Sequence, residues 1–155
     1  MKDKLIKFYL TFFYSGLSPF ASGTCGTIAA LPFAYLILFY LAKSTLIISS
    51  VAIFILSTKI IDEYEKSHNH DSKEIVIDEV AGVFLAIGLS YNNEWWHFIL
   101  AFLLFRFFDI TKPSVIGRVD KKVKGGLGVM LDDMLAGFFA GMLCLVIQGI
   151  YKQYI

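Results

Sequence analysis

The sequence predicts an all-helical membrane protein, a compact bundle of about five hydrophobic helices that follows an amphipathic N-terminal helix. Of its 155 residues, 57% are hydrophobic, and the mean hydropathy is +0.66. Soluble domains are only about half apolar, so this composition favours a membrane protein. The length suits one domain, and we treat residues 1–155 as a single unit.

Five apolar runs account for the hydrophobic helices: Ile28–Ala42, Thr45–Ile61, Val80–Tyr91, Trp95–Phe108 and Val129–Tyr151. Most are shorter than the roughly 20 residues that a spanning helix prefers, so we expect tilt, local thinning of the bilayer or partial immersion. The chain before them begins with lysines and then turns apolar, which is typical of a helix that lies in the interface.

Basic residues predict the orientation, because cytoplasmic loops carry the excess of lysine and arginine. With five spans, one side receives Lys2, Lys4, Lys7, Lys59, Lys66, Lys73, Lys112, Arg118, Lys121, Lys122 and Lys124. The other side receives Lys43 and Lys152, together with Trp95 and Trp96 as interfacial anchors. We therefore expect the segments that carry polar motifs to lie on the cytoplasmic side.

Several classes of function are disfavoured. A net charge of +1 without a concentrated basic face argues against nucleic-acid binding. Cys25 and Cys144 have neither CxxC spacing nor histidine partners, which argues against a disulfide framework or a zinc site. His68, His70 and His97 are interpreted as solvated loop or interface residues.

Two segments, IVIDEVAG (Ile75–Gly82) and VMLDDMLAG (Val129–Gly137), each place adjacent carboxylates at the start of an apolar helix. A small residue follows each pair three or four positions later, which lets two helix backbones approach closely. We therefore expect the two pairs to face each other. Their members are Asp78, Glu79, Asp132 and Asp133.

These carboxylates need compensation, because a charge in hydrocarbon costs roughly 2.5–3.5 kcal/mol. Helix capping is one explanation, but it accounts for one acidic residue per helix rather than two. A bound cation is the other, and clustered oxygen ligands near a phosphate suit Mg²⁺. The sequence favours metal binding over capping alone.

The segment FRFFDITKP (Phe105–Pro113) has two interpretations. Arg106 and Asp109 are three residues apart and share a helix face, so they can form a local ion pair while Lys112 reaches the surface. Alternatively, Arg106 and Lys112 bind phosphate oxygens, while Asp109 binds metal or orients Arg106. The residues alone leave both open.

Two glycine-rich segments lie on the same predicted side. For SGLSPFASGTCGTIAALP (Ser15–Pro32), composition favours a turn, with a headgroup-recognition loop as the alternative. For KGGLGVMLDD (Lys124–Asp133), a turn is again favoured over an anion site at a helix N-terminus. The nearby acidic run at Asp62, Glu63 and Glu65 is explained by a solvated helix end and is left outside the predicted site.

Four blocks together resemble the phosphatidylglycerophosphatase A family: GLSPFASGTCGT (Gly16–Thr27), EIVIDEVAG (Glu74–Gly82), FRFFDITKP (Phe105–Pro113) and GGLGVMLDDMLAG (Gly125–Gly137). The resemblance covers about Gly16 to Gly141. It implies an all-helical, Mg²⁺-dependent enzyme of the bacterial inner membrane. Its substrate would be the phospholipid phosphatidylglycerophosphate, which it would hydrolyse to phosphatidylglycerol and phosphate in glycerophospholipid synthesis.

The resemblance also implies roles for single residues. The catalytic and metal-binding carboxylates would be Asp78, Glu79, Asp132 and Asp133, with Asp109 as a further metal ligand. The substrate phosphate would be bound by Arg106, Lys112, Thr24 and Thr27. The chain departs from the family pattern at Ser22 and Val115, where the family usually has proline, and both changes alter loop stiffness.

Two alternatives come from other classes: a small cation channel or transporter, and a catalytically silent membrane scaffold. Clustering of the acidic residues at one face counts against the first, and their combination with Arg106 and Lys112 counts against the second. The sequence leaves open the oligomeric state, the number of Mg²⁺ ions and the identity of the general base.

Overall fold

The computed structural model describes residues 2–67, 73–90 and 95–154, and all regular secondary structure there is helical. Its α-helices are α1 (Lys2–Leu10), α2 (Ser22–Tyr40), α3 (Lys43–Ser67), α4 (Ile77–Ser90), α5 (Trp95–Thr111), α6 (Val115–Lys122) and α7 (Gly125–Tyr154). A short 3-10 turn spans Ser15–Leu17. The predicted helical bundle is confirmed, and the five apolar runs correspond to α2, α3, α4, α5 and α7.

Helix α4 lies at the centre of the bundle. It contacts α2, α3, α5 and α7, most extensively α7. Ten of its 14 residues are buried, as expected for a helix that is apolar on every face. The carboxylates at its start are therefore surrounded by protein, which makes charged groups tolerable in an apolar bundle.

The protein is a membrane protein with three described helices long and apolar enough to span a bilayer. These stretches are Ser22–Tyr40, Lys43–Lys66 and Gly125–Gln153. Helices α4 and α5 have only 14 and 17 residues, whereas a hydrocarbon core about 30 Å thick needs about 20. The five hydrophobic helices are thus present, but α4 and α5 are short and pack against α7.

Glycines allow α4 and α7 to cross closely. A Cβ at Gly137 would meet the backbone of Gly82, with its Cα at 3.0 Å. A Cβ at Gly82 would in turn lie 2.7 Å from the carbonyl oxygen of Asp133. The prediction that small residues after the two acidic pairs let the backbones approach is confirmed.

Helix α1 is tied to the bundle by polar contacts. The Tyr9 hydroxyl lies 2.8 Å from Ser57 Oγ, and Lys7 Nζ lies 2.8 Å from a Glu74 carboxylate oxygen. The Val76 amide donates to the Leu10 carbonyl at 3.0 Å. The N-terminal helix therefore braces the segment that leads into α4.

Three local expectations need correction or fall outside the structure. Helix α2 begins at Ser22 rather than near Ile28, because its small residues pack on neighbours: a Cβ at Gly26 would meet Val76. His97 is only 2% exposed, so its interpretation as a solvated or interfacial residue is wrong. His68 and His70 lie outside the described residues.

We expect Gly137→Ala to lower the thermal stability of the detergent-solubilised protein, because an added methyl group would press on the α4 backbone. Overpacking of this kind costs about 1–3 kcal/mol. Gly149→Ala is the matched control, since a Cβ there meets nothing within 4 Å. Thermal unfolding monitored by circular dichroism compares the two, and equal midpoints would contradict a tight crossing at Gly137.

Candidate active site

The polar motif residues meet at one end of the bundle. The starts of α2, α4 and α7 and the end of α5 lie together there, because each of these elements contributes side chains to one connected set of contacts. The set contains Thr24, Thr27, Asp78, Glu79, Arg106, Asp109, Lys112, Asp132 and Asp133. The structure thus brings every predicted site residue into one region.

A cavity of about 250 Å³ forms the centre of this region. Its wall includes all five predicted acidic residues, Asp78, Glu79, Asp109, Asp132 and Asp133. Asp132 and Asp133 are 5% and 4% exposed. Five acidic side chains around one small cavity provide oxygen atoms that attract cations and can exchange protons.

Arg106 links three helices behind this cavity. Its Nη1 donates to Asp109 at 2.5 Å, to Glu79 at 3.4 Å and to the Thr27 hydroxyl at 3.3 Å. Its Nη2 donates to the Thr24 hydroxyl at 3.2 Å. Arg106 is not one of the described residues that line the cavity. The contacts show that it positions Asp109 and Glu79, while direct binding of phosphate by Arg106 stays a prediction.

Lys112 reaches into the cavity wall from just beyond α5. Its Nζ lies 2.5 Å from Asp132 and 2.6 Å from Asp120, and its backbone has φ +41°, a strained conformation for a residue other than glycine. Burial alone lowers the pKa of Lys112, but hydrogen bonds and charges from Asp120 and Asp132 outweigh burial and raise the pKa above its ordinary value. The ammonium group therefore stays charged at the cavity.

Several buried carboxylate oxygens accept no hydrogen bond within the described part of the chain: Asp78 Oδ1, Glu79 Oε2 and Asp132 Oδ1. An unpaired buried acceptor is costly, so such atoms indicate a missing donor or cation. No group of three or more potential ligands among the described residues is gathered closely enough to hold a metal. Because Mg²⁺ keeps several waters and uses one or two carboxylates, the oxygen donors here still fit it.

Comparison with known proteins identifies the family. Residues 8–148 match the family model described as Phosphatidylglycerophosphatase A. The chain belongs to the phosphatidylglycerophosphatase A family. It is therefore a phosphatase, held in a membrane by the apolar helices described above.

Three relatives cover most of the chain. It is 36% identical over 146 residues to a putative phosphatidylinositol-3-phosphatase of Bacteroides thetaiotaomicron, covering 90% of this chain and 91% of the relative. It is 35% identical over 137 residues to phosphatidylglycerophosphatase A of Haemophilus influenzae, covering 88% and 84%. It is 36% identical over 134 residues to phosphatidylglycerophosphatase A of Escherichia coli, covering 84% and 77%. No solved structure matches the chain.

Sequence reasoning missed three charged members of the cavity wall. Glu65, Lys73 and Asp120 line it together with the motif residues of the phosphatidylglycerophosphatase A family. Glu65, which the sequence interpretation left outside the site, thus lies in the cavity wall. Asp120 faces Lys112 at 2.6 Å. The sequence indicates Asp120 only indirectly, as the one acidic residue in an otherwise basic segment.

Asp62 also has a specific position that a solvated helix end does not describe. Its carboxylate accepts the Gly126 amide at 2.6 Å and so caps the start of α7. Gly125, the first residue of α7, has φ +72°, a conformation that favours glycine. The anion at this helix N-terminus is thus the protein's own carboxylate.

Ser22, one of the two departures from the family pattern, makes a contact that proline cannot. Its hydroxyl donates to the Lys73 carbonyl at 2.7 Å. This bond joins the start of α2 to the segment that precedes α4. The expected change in loop stiffness at Ser22 is therefore accompanied by a specific hydrogen bond, and Val115, the other departure, begins α6.

We expect Thr27→Val to lower phosphatase turnover about ten-fold or more, because a hydrogen bond to a charged group contributes about 1.5–3 kcal/mol. The substitution keeps the side-chain shape but removes an acceptor of Arg106. Thr58→Val is the matched control, since the Thr58 hydroxyl donates to the Phe54 carbonyl within its own helix. Comparable turnover in both variants would show that Arg106 does not need Thr27.

Proposed function

We propose that this protein is a Mg²⁺-dependent phosphatase of phosphatidylglycerophosphate that releases phosphatidylglycerol and inorganic phosphate. The observation that carries the proposal is the carboxylate cavity with Lys112 in its wall, at one end of a bundle whose longest helices are long and apolar enough to span a membrane. Membership of the phosphatidylglycerophosphatase A family supports the choice of substrate.

The position of the cavity suits a lipid phosphate. It is lined by residues at the start of α4 and in the first three turns of α7, a place that lies near the headgroup layer if α7 spans the bilayer. Large apolar side chains are exposed on α2, among them Phe33, Leu36 and Phe39, and acyl chains can lie along such a surface. The basic residues near this end indicate the cytoplasmic face of a bacterial inner membrane.

Phosphoryl transfer depends mainly on positioning and electrostatics. Lys112, fixed by Asp120 and Asp132, neutralises charge on the terminal phosphate at the cavity wall. Arg106 fixes Asp109 and Glu79 so that their oxygens face the same space. A carboxylate that is not engaged by a cation accepts a proton from the attacking water.

The acidic set also provides the metal ligands. Mg²⁺ would be held by some of Asp78, Glu79, Asp109, Asp132 and Asp133, and when bound it supplies Lewis-acid stabilisation of the phosphate charge. The three buried oxygens that lack hydrogen bonds make Asp78, Glu79 and Asp132 the favoured ligands. Asp109 is already engaged by Arg106 at 2.5 Å.

A second substrate class is a phosphoinositide, as in the name of the Bacteroides relative. One observation favours testing it: a second cavity of about 470 Å³ shares Glu65, Asp120 and Val129 with the first. This space is larger than a glycerol headgroup needs.

The cation channel or transporter alternative is disfavoured. The acidic residues gather at one end of the bundle, which argues against a cation pathway along the spans.

In detergent micelles with Mg²⁺, we expect phosphate release from phosphatidylglycerophosphate to exceed release from phosphatidic, lysophosphatidic and phosphoinositide substrates. Asp133→Asn should lower the rate at least about 100-fold, the lower range for loss of a catalytic acid or base. Asp3→Asn is the control, because Asp3 is an exposed acid in α1. A folded wild-type protein that releases phosphate from no lipid would refute the proposal and favour a scaffold or transporter.

Removal of divalent metal should abolish activity, and added Mg²⁺ should restore it. Asp78→Asn removes one candidate ligand charge, so we expect it to raise the Mg²⁺ concentration for half-maximal activity roughly ten-fold. The titration is run beside Asp3→Asn, which should follow the wild-type curve. Full activity in chelator would refute the metal requirement, and an unchanged curve for Asp78→Asn would exclude Asp78 as a ligand.

A further inference from the structure

Helix α6 has two chemically opposite faces. Arg118, Lys121 and Lys122 are spaced i, i+3 and i+4, so they share one face. The other face carries Ile116, which is 1% exposed, and Asp120, which binds Lys112 at the cavity. The helix therefore contributes to the cavity wall on one side and presents a basic surface on the other.

We name Arg118, Lys121 and Lys122 the α6 basic face. All three residues are exposed, and their side chains form no ion pair with any residue in the described ranges. Lys124, also exposed, extends the positive charge beyond the end of α6. Three adjacent cations without internal partners are not explained by the stability of the bundle.

The location of the α6 basic face limits which partners can bind it. Helix α6 ends at Lys122, three residues before the spanning stretch that starts at Gly125. Lys124 lines the second cavity, which adjoins the acidic cavity through shared wall residues. If the stretch that starts at Gly125 spans the bilayer, the α6 basic face lies near the depth of lipid headgroups, close to the second cavity.

We propose that the α6 basic face binds anionic phospholipid headgroups of the surrounding leaflet and concentrates lipid phosphates at the mouth of the cavity. Charge complementarity supports this occupant, since each basic residue beside an anionic leaflet strengthens binding by roughly a factor of five. The concentrating role rests on the proposed phosphatase function. The binding of anionic lipid does not.

The α6 basic face offsets the repulsion between the acidic cavity and an approaching phosphate. Seven acidic side chains line the space, so an approaching phosphate dianion is repelled wherever no cation compensates their charge. Cations on the outer side of α6 attract the same anion at longer range. An acidic protein partner is a less suitable occupant, because headgroups already surround a helix that adjoins a membrane span.

The test compares two double variants with the same net charge. Lys121→Gln with Lys122→Gln removes two of the three charges of the α6 basic face, and Lys43→Gln with Lys152→Gln removes two exposed lysines at the other end of the bundle. Full-length protein is incubated with phosphatidylglycerol or phosphatidylcholine, and bound lipid is counted by native mass spectrometry. We expect the α6 variant to bind phosphatidylglycerol about 25-fold more weakly, and the control variant to bind it like the wild type.

Three further readouts complete the test. Binding of phosphatidylcholine should be weak and equal in all proteins. Roughly 0.5 M salt should weaken the binding of phosphatidylglycerol to the wild type, because salt screens charge interactions. Lys121→Arg with Lys122→Arg should restore binding, which separates charge from folding. Equal binding of phosphatidylglycerol by the two Gln variants would overturn the inference. Because lipid binding is measured without turnover, an inactive wild type would instead refute the proposed phosphatase.

Discussion

The close approach of α4 and α7 at Gly82 and Gly137 is the contact on which the site depends. Each acidic pair lies one helical turn before one of these glycines, so the crossing brings both pairs to the same cavity. A side chain at either position would separate the backbones and therefore the carboxylates. Van der Waals contact between two helices thus sets the distance between charges that repel each other.

That repulsion needs local compensation, and two cations supply it in different ways. The Arg106 side chain is 14% exposed and lies outside the cavity wall, where a planar guanidinium with several donors can connect α2, α4 and α5 at once. Lys112 has a single charged group at the cavity wall and is held by Asp132 and Asp120. The positioning cation is shielded from solvent, and the cation suited to meet a phosphate is accessible.

Helix length explains how such a polar site exists in an apolar protein. The central helix α4 is too short to span a bilayer and is almost fully enclosed by neighbours. Longer helices, α2, α3 and α7, provide the lipid-facing surface. The charged ends of α4 and α5 therefore never need to meet hydrocarbon, and the basic side of α6 can face the headgroups.

The sequence by itself determined the helical class, the five hydrophobic helices, the acidic pairs and the family, because these follow from local periodicity and from motifs within a few residues. It also indicated the glycine crossing, since small residues recur at the same offset after both pairs. Only the tertiary structure decided which distant residues complete the site. Asp62 caps α7 from 64 residues away, Glu65 and Asp120 join the wall, and Arg106 lies behind the carboxylates rather than in the cavity. Helix spacing defines the face on which a residue lies, but the packing of one helix against another decides what that face meets.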